Sequence, residues 1–159
     1  MKKWLICILL VAFCLSSCGR EITSDHIVGA LLAEYGLTGG TLYSTSGAEG
    51  SEVLTEEIFL VLYGRVDGTS DFGGVESATL WQGGGVTRLM EVAAFVCVDR
   101  GAAEAMALTC RRRLEACSVL SFADMSAFAT ASVRLHGRVV VYAALPDPDR
   151  AERILDRLV

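Results

Sequence analysis

With 19 acidic side chains against 14 basic ones, this 159-residue chain carries a formal net charge of −5 and a pI near 5.0, which argues against nucleic acid as a partner and against electrostatic docking on anionic lipid. Its length suits one compact domain that buries about two-thirds of its surface, so disulfide staples are not required. The chain has no asparagine, which excludes N-glycosylation sites, and its only lysines are Lys2 and Lys3.

Those two lysines precede an apolar run from Trp4 to Leu15, and Leu15-Ser16-Ser17-Cys18 follows. A charged start, an apolar stretch and small residues before a cysteine make a secretory leader with Cys18 at the first mature position. The 12 residues from Trp4 to Leu15 would rise only about 18 Å as a helix, short of a bilayer core of about 30 Å. A retained membrane span is therefore disfavoured. A plain secretory leader with a chance cysteine is the blander alternative. The tetrapeptide resembles the lipobox of bacterial lipoproteins, which implies thioether diacylation of Cys18 and cleavage just before it. Each buried methylene contributes about 0.8 kcal/mol, so two acyl chains anchor durably where one is marginal. The expected organisation is a signal peptide over 1–17, a lipidated tether over 18–23 and a single α+β domain over 24–159. That domain would sit on the extracytoplasmic face of the cell membrane. Without the leader, 12 Arg face 19 acids, a net charge of −7.

Along the domain, Ser24 can cap a helix from Asp25 to about Tyr35, with Ile27, Leu31, Leu32 and Tyr35 on one face and Gly36 as its stop. Thr38 to Ser51 is rich in Gly, Ser and Thr and reads as loop. Thr55 before Glu56 and Glu57 is an N-cap with acidic first-turn residues; the apolar run Ile58 to Tyr63 could be a buried strand, but this cap and the terminal Gly64 favour a second helix. Arg65 to Val75 reads as loop. Ser77 to Gln82 and Val86 to Val98 read as strands around Gly83-Gly84-Gly85. The stretch from Leu89 to Val98 is apolar apart from Glu91, as in a central strand covered on both faces.

Ala102 to Cys117 is an amphipathic helix, with Ala103, Met106, Cys110, Leu114 and Cys117 in one stripe. Ala131 to Leu135 and Val139 to Leu145 flank His136-Gly137-Arg138 and predict a hairpin. Asp147 caps a last helix with Pro148 at its first position. That helix has Ile154, Leu155 and Leu158 on its apolar face, and Asp149 and Arg153 spaced to pair. The expected fold is α+β: an antiparallel four-stranded sheet in ββαββα order, with helices packed on one face and one or two helices in front.

Candidate chemistry is sparse. Beyond Cys18, the mature chain has Cys97, Cys110 and Cys117. Cys110 and Cys117 lie about 10 Å apart along one helix, beyond disulfide reach. A bridge from Cys97 to either remains open, with three buried thiols as the default. His26 and His136 have no neighbouring ligands at metal-site spacing, so no metal and no cofactor are expected. Ser44, Ser46, Ser70 and Ser121 sit in expected loops, none within Gly-x-Ser-x-Gly. Asp71-Phe72-Gly73 copies a kinase tripeptide without the rest of that signature. Gly83-Gly84-Gly85 lacks phosphate-loop spacing. Arg111-Arg112-Arg113 reads as a solvated face. Glu91, interrupting an apolar strand, is either an isolated buried acid or one near the strand's start, partly solvated or paired with an arginine. Pairing is favoured, because isolated buried carboxylates are costly.

The lipobox, Glu91 opening a strand into Phe95, Arg113-Leu114-Glu115, Gly137-Arg138-Val139-Val140-Val141-Tyr142 and Ala151-Glu152 on an acidic helix form a set. Together they resemble a family of small lipoproteins of uncharacterised function from Firmicutes, especially clostridia. The likeness covers about residues 77–159 and implies a Gram-positive envelope. It carries over no catalytic residues, and the high Arg and Ala content departs from the family's Lys-rich members. The resulting expectation is a non-enzymatic accessory lipoprotein, anchored through Cys18, that binds a protein or peptide partner in the envelope. The competing expectation is a cell-envelope hydrolase acting on peptidoglycan or peptide, with Glu91 or His136 as the residue to test.

Overall fold

Every residue from Glu91 to Cys97 is buried, and the rest of the fold is layered on this strand. The computed structural model describes residues 22–64, 70–85, 90–119 (backbone alone for 117–119) and 131–159. In chain order its elements are α1 (Ser24–Tyr35), β1 (Thr41–Ser44), β2 (Glu52–Val53), α2 (Glu56–Tyr63), a 3-10 turn (Phe72–Gly74), β3 (Val75–Gln82), β4 (Glu91–Cys97), α3 (Arg100–Val119), β5 (Ser132–His136), β6 (Val139–Ala144) and α4 (Pro148–Leu158).

The strands form one six-stranded sheet in the order β2-β1-β3-β4-β6-β5. All neighbours are antiparallel except the parallel β1–β2 pair. Because side chains alternate across a strand, β4 feeds two separate cores. Ala93, Phe95 and Cys97 point to one face with Ala78, Leu80, Val140 and Tyr142, under Phe59 and Tyr63 of α2 and Ala103, Met106 and Cys110 of α3. Val92, Ala94 and Val96 point to the other with Trp81, Val139 and Val141, under Ile27, Val28 and Leu31 of α1 and Ala151, Ile154 and Leu155 of α4.

Two expectations are corrected here. The sheet has six strands rather than four, and ββαββα describes only the chain from β3 onward. Its helices cover both faces rather than one. β1 lies within the Gly/Ser/Thr-rich stretch expected to be loop, and β2 directly follows it. β1 has only four residues and β2 two, too few for a period-2 pattern to stand out from loop composition. Gly40 lets the chain turn tightly into β1. Its φ is +77°, and a Cβ there would lie 2.3 Å from the Gln82 carbonyl oxygen.

The helix ends follow local chemistry. Thr23, not Ser24, is the α1 cap, its hydroxyl accepting from His26 N at 3.2 Å. Gly36, at φ +63°, closes that helix through hydrogen bonds to Ala33 O and Leu32 O. Thr55 caps α2, accepting from Ile58 N. α3 begins at Arg100, two residues earlier than expected, and the Asp99 carboxylate accepts from Ala102 N at 2.8 Å. Gly137, at φ +57°, makes the β5–β6 turn, and Asp147 caps α4 ahead of Pro148. Residues 86–89 of the expected second strand, and the loop positions 65–69, lie outside the described residues.

Candidate functional site

Glu91 opens β4 on the α2/α3 face and is only 3% exposed. Arg113 of α3 donates from Nη2 to its Oε2 at 2.9 Å, and the hydroxyl of Tyr63, the last residue of α2, donates to Oε1. The Arg113 guanidinium also sits 5.5 Å from the Tyr63 ring centroid, a cation–π geometry. Tyr63 stacks on Phe59 at 5.3 Å and meets Phe95 and Tyr142 edge-on at 5.7 and 6.2 Å. Three elements thus converge on one carboxylate, which has a charged donor on one oxygen and a neutral donor on the other.

Burial pushes the Tyr63 hydroxyl well above the ordinary tyrosine range, and the adjacent Glu91 charge reinforces the shift. The phenol therefore remains a neutral donor at physiological pH. Burial also raises the Cys110 thiol far above its usual range, again with Glu91 second. Cys97 is pushed up to about 11, by burial first and Asp99 second, against Arg138. Both are free, buried thiols and poor nucleophiles, since the thiolate is the reactive form. The side chain of Cys117 lies outside the described residues.

Glu91 stands out in the sequence and an arginine partner is expected for it, but which arginine is not marked there, and Arg113 reads as part of a solvated face. Arg111 and Arg112 are exposed, whereas Arg113 is half-buried. A usable signal existed: Arg113 follows Met106 and Cys110 at spacings of seven and three residues, on the buried stripe. Tyr63 was placed correctly in its helix, but nothing local marks it as a partner of residue 91.

His136 lies elsewhere. It is exposed at the end of edge strand β5, opposite Val139, which in turn pairs with Val96. Glu91 is at the other end of β4, about 17 Å away at 3.4 Å per residue. The structure does not bring these two candidates together. His26 is also exposed, and among the described residues no group of three His, Cys, Asp or Glu side chains could hold a metal ion.

A second polar cluster was not anticipated. Asp25, in the first turn of α1, accepts from Ser44 Oγ at 2.7 Å, Ser46 Oγ at 2.7 Å and Thr79 Oγ1 at 2.6 Å. Thr79 also reaches Ser24 at 2.9 Å. Burial alone would raise the Asp25 pKa, but the three hydroxyl donors outweigh it and hold the carboxyl below its ordinary 3.8. Ser44 is in β1 rather than a loop, and Ser44 and Ser46 are spent on this clamp between α1, β1 and β3. Ser70 Oγ accepts from Phe72 N, and Thr109 of α3 donates to Asp71 at 2.5 Å. The Asp71-Phe72-Gly73 tripeptide is thus a turn pinned to α3. Ser121 lies outside the described residues.

Two open grooves mark the surface. One of about 630 Å³ between α1 and α4 is lined by Glu34, Arg150, Arg153, Ile154, Asp156 and Arg157. Arg150 donates to the Glu34 carbonyl and stacks on Tyr35 at 4.8 Å, while Arg157 pairs with the Glu34 carboxylate at 3.3 Å. Two of its three arginines therefore tie α4 to α1. The other, about 300 Å³, is apolar and is lined by Tyr43, Glu57, Ile58, Val61 and Leu62. Neither groove is lined by Glu91 or His136.

Leu15, Ser16, Ser17 and Cys18 lie outside the described residues. Within the described residues no helix is long and apolar enough to cross a membrane. Searches against protein-family models, curated proteins and solved structures find no significant match to this chain.

Proposed function

We propose that the protein is a bacterial lipoprotein held on the extracytoplasmic face of the cell membrane by acyl chains on Cys18, and that its folded part is a non-enzymatic accessory domain for a protein or peptide partner. The observation that carries this reading is Leu15-Ser16-Ser17-Cys18 directly after an apolar run too short to span a bilayer. The resemblance to small Gram-positive lipoproteins supports it. Four of the residues behind that resemblance, Glu91, Phe95, Arg113 and Tyr142, gather around Tyr63 in one core, as expected of a structural signature. The hydrolase alternative is weakened. An acid–base carboxylate needs a free oxygen within reach of its substrate, whereas both oxygens of Glu91 are engaged and the residue is buried.

Intact-mass measurement of protein purified from its native membrane tests the anchor. The expected mass corresponds to a chain starting at Cys18 with a diacylglyceryl addition, and Cys18→Ala is expected to lose both the addition and membrane attachment. An unmodified thiol at Cys18, or a leader still attached, would sink the proposal.

A further inference from the structure

α2 has eight residues but two apolar stripes. Phe59 and Tyr63, four apart, are buried against the sheet. Ile58, Val61 and Leu62 share a neighbouring face at spacings of three and four; with Tyr43 they form the apolar groove of about 300 Å³. Val61 is 83% exposed. Tyr43, Ile58 and Leu62 pack on the core with part of their surface and leave the rest uncovered, so the groove presents their outer sides together with Val61.

Charge identifies what fits there. From Thr41 to Gly64 the chain has four carboxylates, Glu49, Glu52, Glu56 and Glu57, and no lysine, arginine or histidine. All four are exposed. Glu57 lines the groove itself. Glu52 is the register partner of Tyr43 in the β1–β2 ladder, so its side chain emerges beside Tyr43 on the same face of the sheet. No ion pair is formed by these carboxylates within the described residues. An apolar floor with an acidic rim repels an anionic lipid surface, and a second copy would bring the same carboxylates face to face.

We infer that this groove is the docking site for a cationic amphipathic peptide segment of a partner protein. One or two apolar side chains would seat on Tyr43, Ile58, Val61 and Leu62, and flanking Lys or Arg residues would pair with Glu52 and Glu57. This rests on the partner-binding reading above and specifies the class of partner. The groove is large enough for anchor side chains, not for a whole folded face. Affinity and encounter rate should both depend on the acidic rim and fall with salt.

The test is photo-crosslinking of the full chain in its own cells, with a benzophenone amino acid at position 61 and, as control, at Leu108 of α3. The expected adduct forms from position 61 and not from 108, and mass spectrometry maps it to a segment with Lys or Arg around apolar residues. Glu52→Lys with Glu57→Lys should cut its yield about tenfold or more; Glu52→Gln with Glu57→Gln, which preserves shape, should cut it less. An unchanged melting temperature establishes that both pairs of variants are folded.

A captured segment lacking cations, or a yield indifferent to charge reversal, overturns the inference yet leaves a partner-binding domain standing. Adducts only with lipid or with a second copy, or no adduct, remove the groove as a partner site. The mass of the same purified protein at Cys18 reports the anchor independently of all these outcomes.

Discussion

The two faces of the central sheet reach the same end by different chemistry. Beneath α2 and α3 the core is aromatic and encloses an ion pair, with Phe59, Tyr63, Phe95 and Tyr142 around Glu91 and Arg113. Beneath α1 and α4 it is aliphatic, built on Val92, Val96, Val139, Val141, Ile27 and Leu31 with Trp81. There the charged contacts stay at the rim, where Asp25 meets three hydroxyls and Arg157 meets Glu34. The first arrangement makes stability hinge on one matched pair, since a charge stripped of its partner inside a core is expensive. The second keeps its charged groups half-buried or exposed, where water can still reach them.

Breaking the pair should therefore have the largest effect. Arg113→Met leaves the Glu91 carboxylate buried with Tyr63 as its remaining donor among the described residues, and is expected to cost about 3–5 kcal/mol. Glu91→Leu combined with Arg113→Met replaces both charges with apolar groups and should recover part of that loss, the buried Tyr63 hydroxyl having lost Glu91 as its acceptor. Urea midpoints at pH 7 for the wild type, the single and the double variant check both statements. A double variant no more stable than the single would mean that Arg113 acts through packing of its stem rather than through its charge.

Tyr63→Phe sharpens the same point at smaller scale. It keeps the ring stack and removes one hydrogen bond to a charged acceptor, a loss of about 1.5–3 kcal/mol at pH 7. Its pH dependence has a definite sign. The folded pKa of Tyr63 is raised above its unfolded value of 10.0, so its contribution is fully present below pH 10. Above that, the unfolded chain gives up the proton more readily, and stability falls as pH rises towards the folded value. Denaturation curves between pH 8 and 11 should show a shallower alkaline decline in Tyr63→Phe. Part of the decline should persist, because the raised Cys97 and Cys110 thiols act in the same direction.

What could be read in advance, and what could not, follows the range of each interaction. α1, α2, α3 and α4 were legible because caps and apolar spacing are local, as at Thr55, Gly36 and Asp147. The apolar run of β4 after Glu91 already implied cover on both faces, yet helices on one face were expected. Helix stripes show that a face is buried, not which side of the sheet it covers. β1 was hidden because four residues amid glycine and serine carry no pattern, and only pairing with β3 defines them. Glu91 was conspicuous as an acid in an apolar strand. Its partners are 22 and 28 residues away, a distance at which one sequence leaves no mark. The Asp25 clamp joins residues as much as 54 apart and was invisible for the same reason.

That clamp supplies the smallest expected effect and the clearest contrast with the opposite face. Asp25→Asn keeps the shape but offers one carbonyl in place of a carboxylate that accepts three hydroxyl donors. Ser44 and Thr79 are buried, but their hydroxyls can turn to the remaining carbonyl and Asp25 itself is half-buried, so about 1 kcal/mol is expected at pH 7. Because the folded pKa lies below 3.8, the wild-type contribution is complete above the unfolded value of about 3.9 and is lost as pH falls through the lower folded one. The stability gap between wild type and Asp25→Asn should therefore be constant from pH 7 to about 5 and close as the solution is taken below 4. A gap that persists undiminished below pH 3 would show that the carboxylate's charge contributes nothing. The aliphatic face would then depend on packing alone, even at its rim.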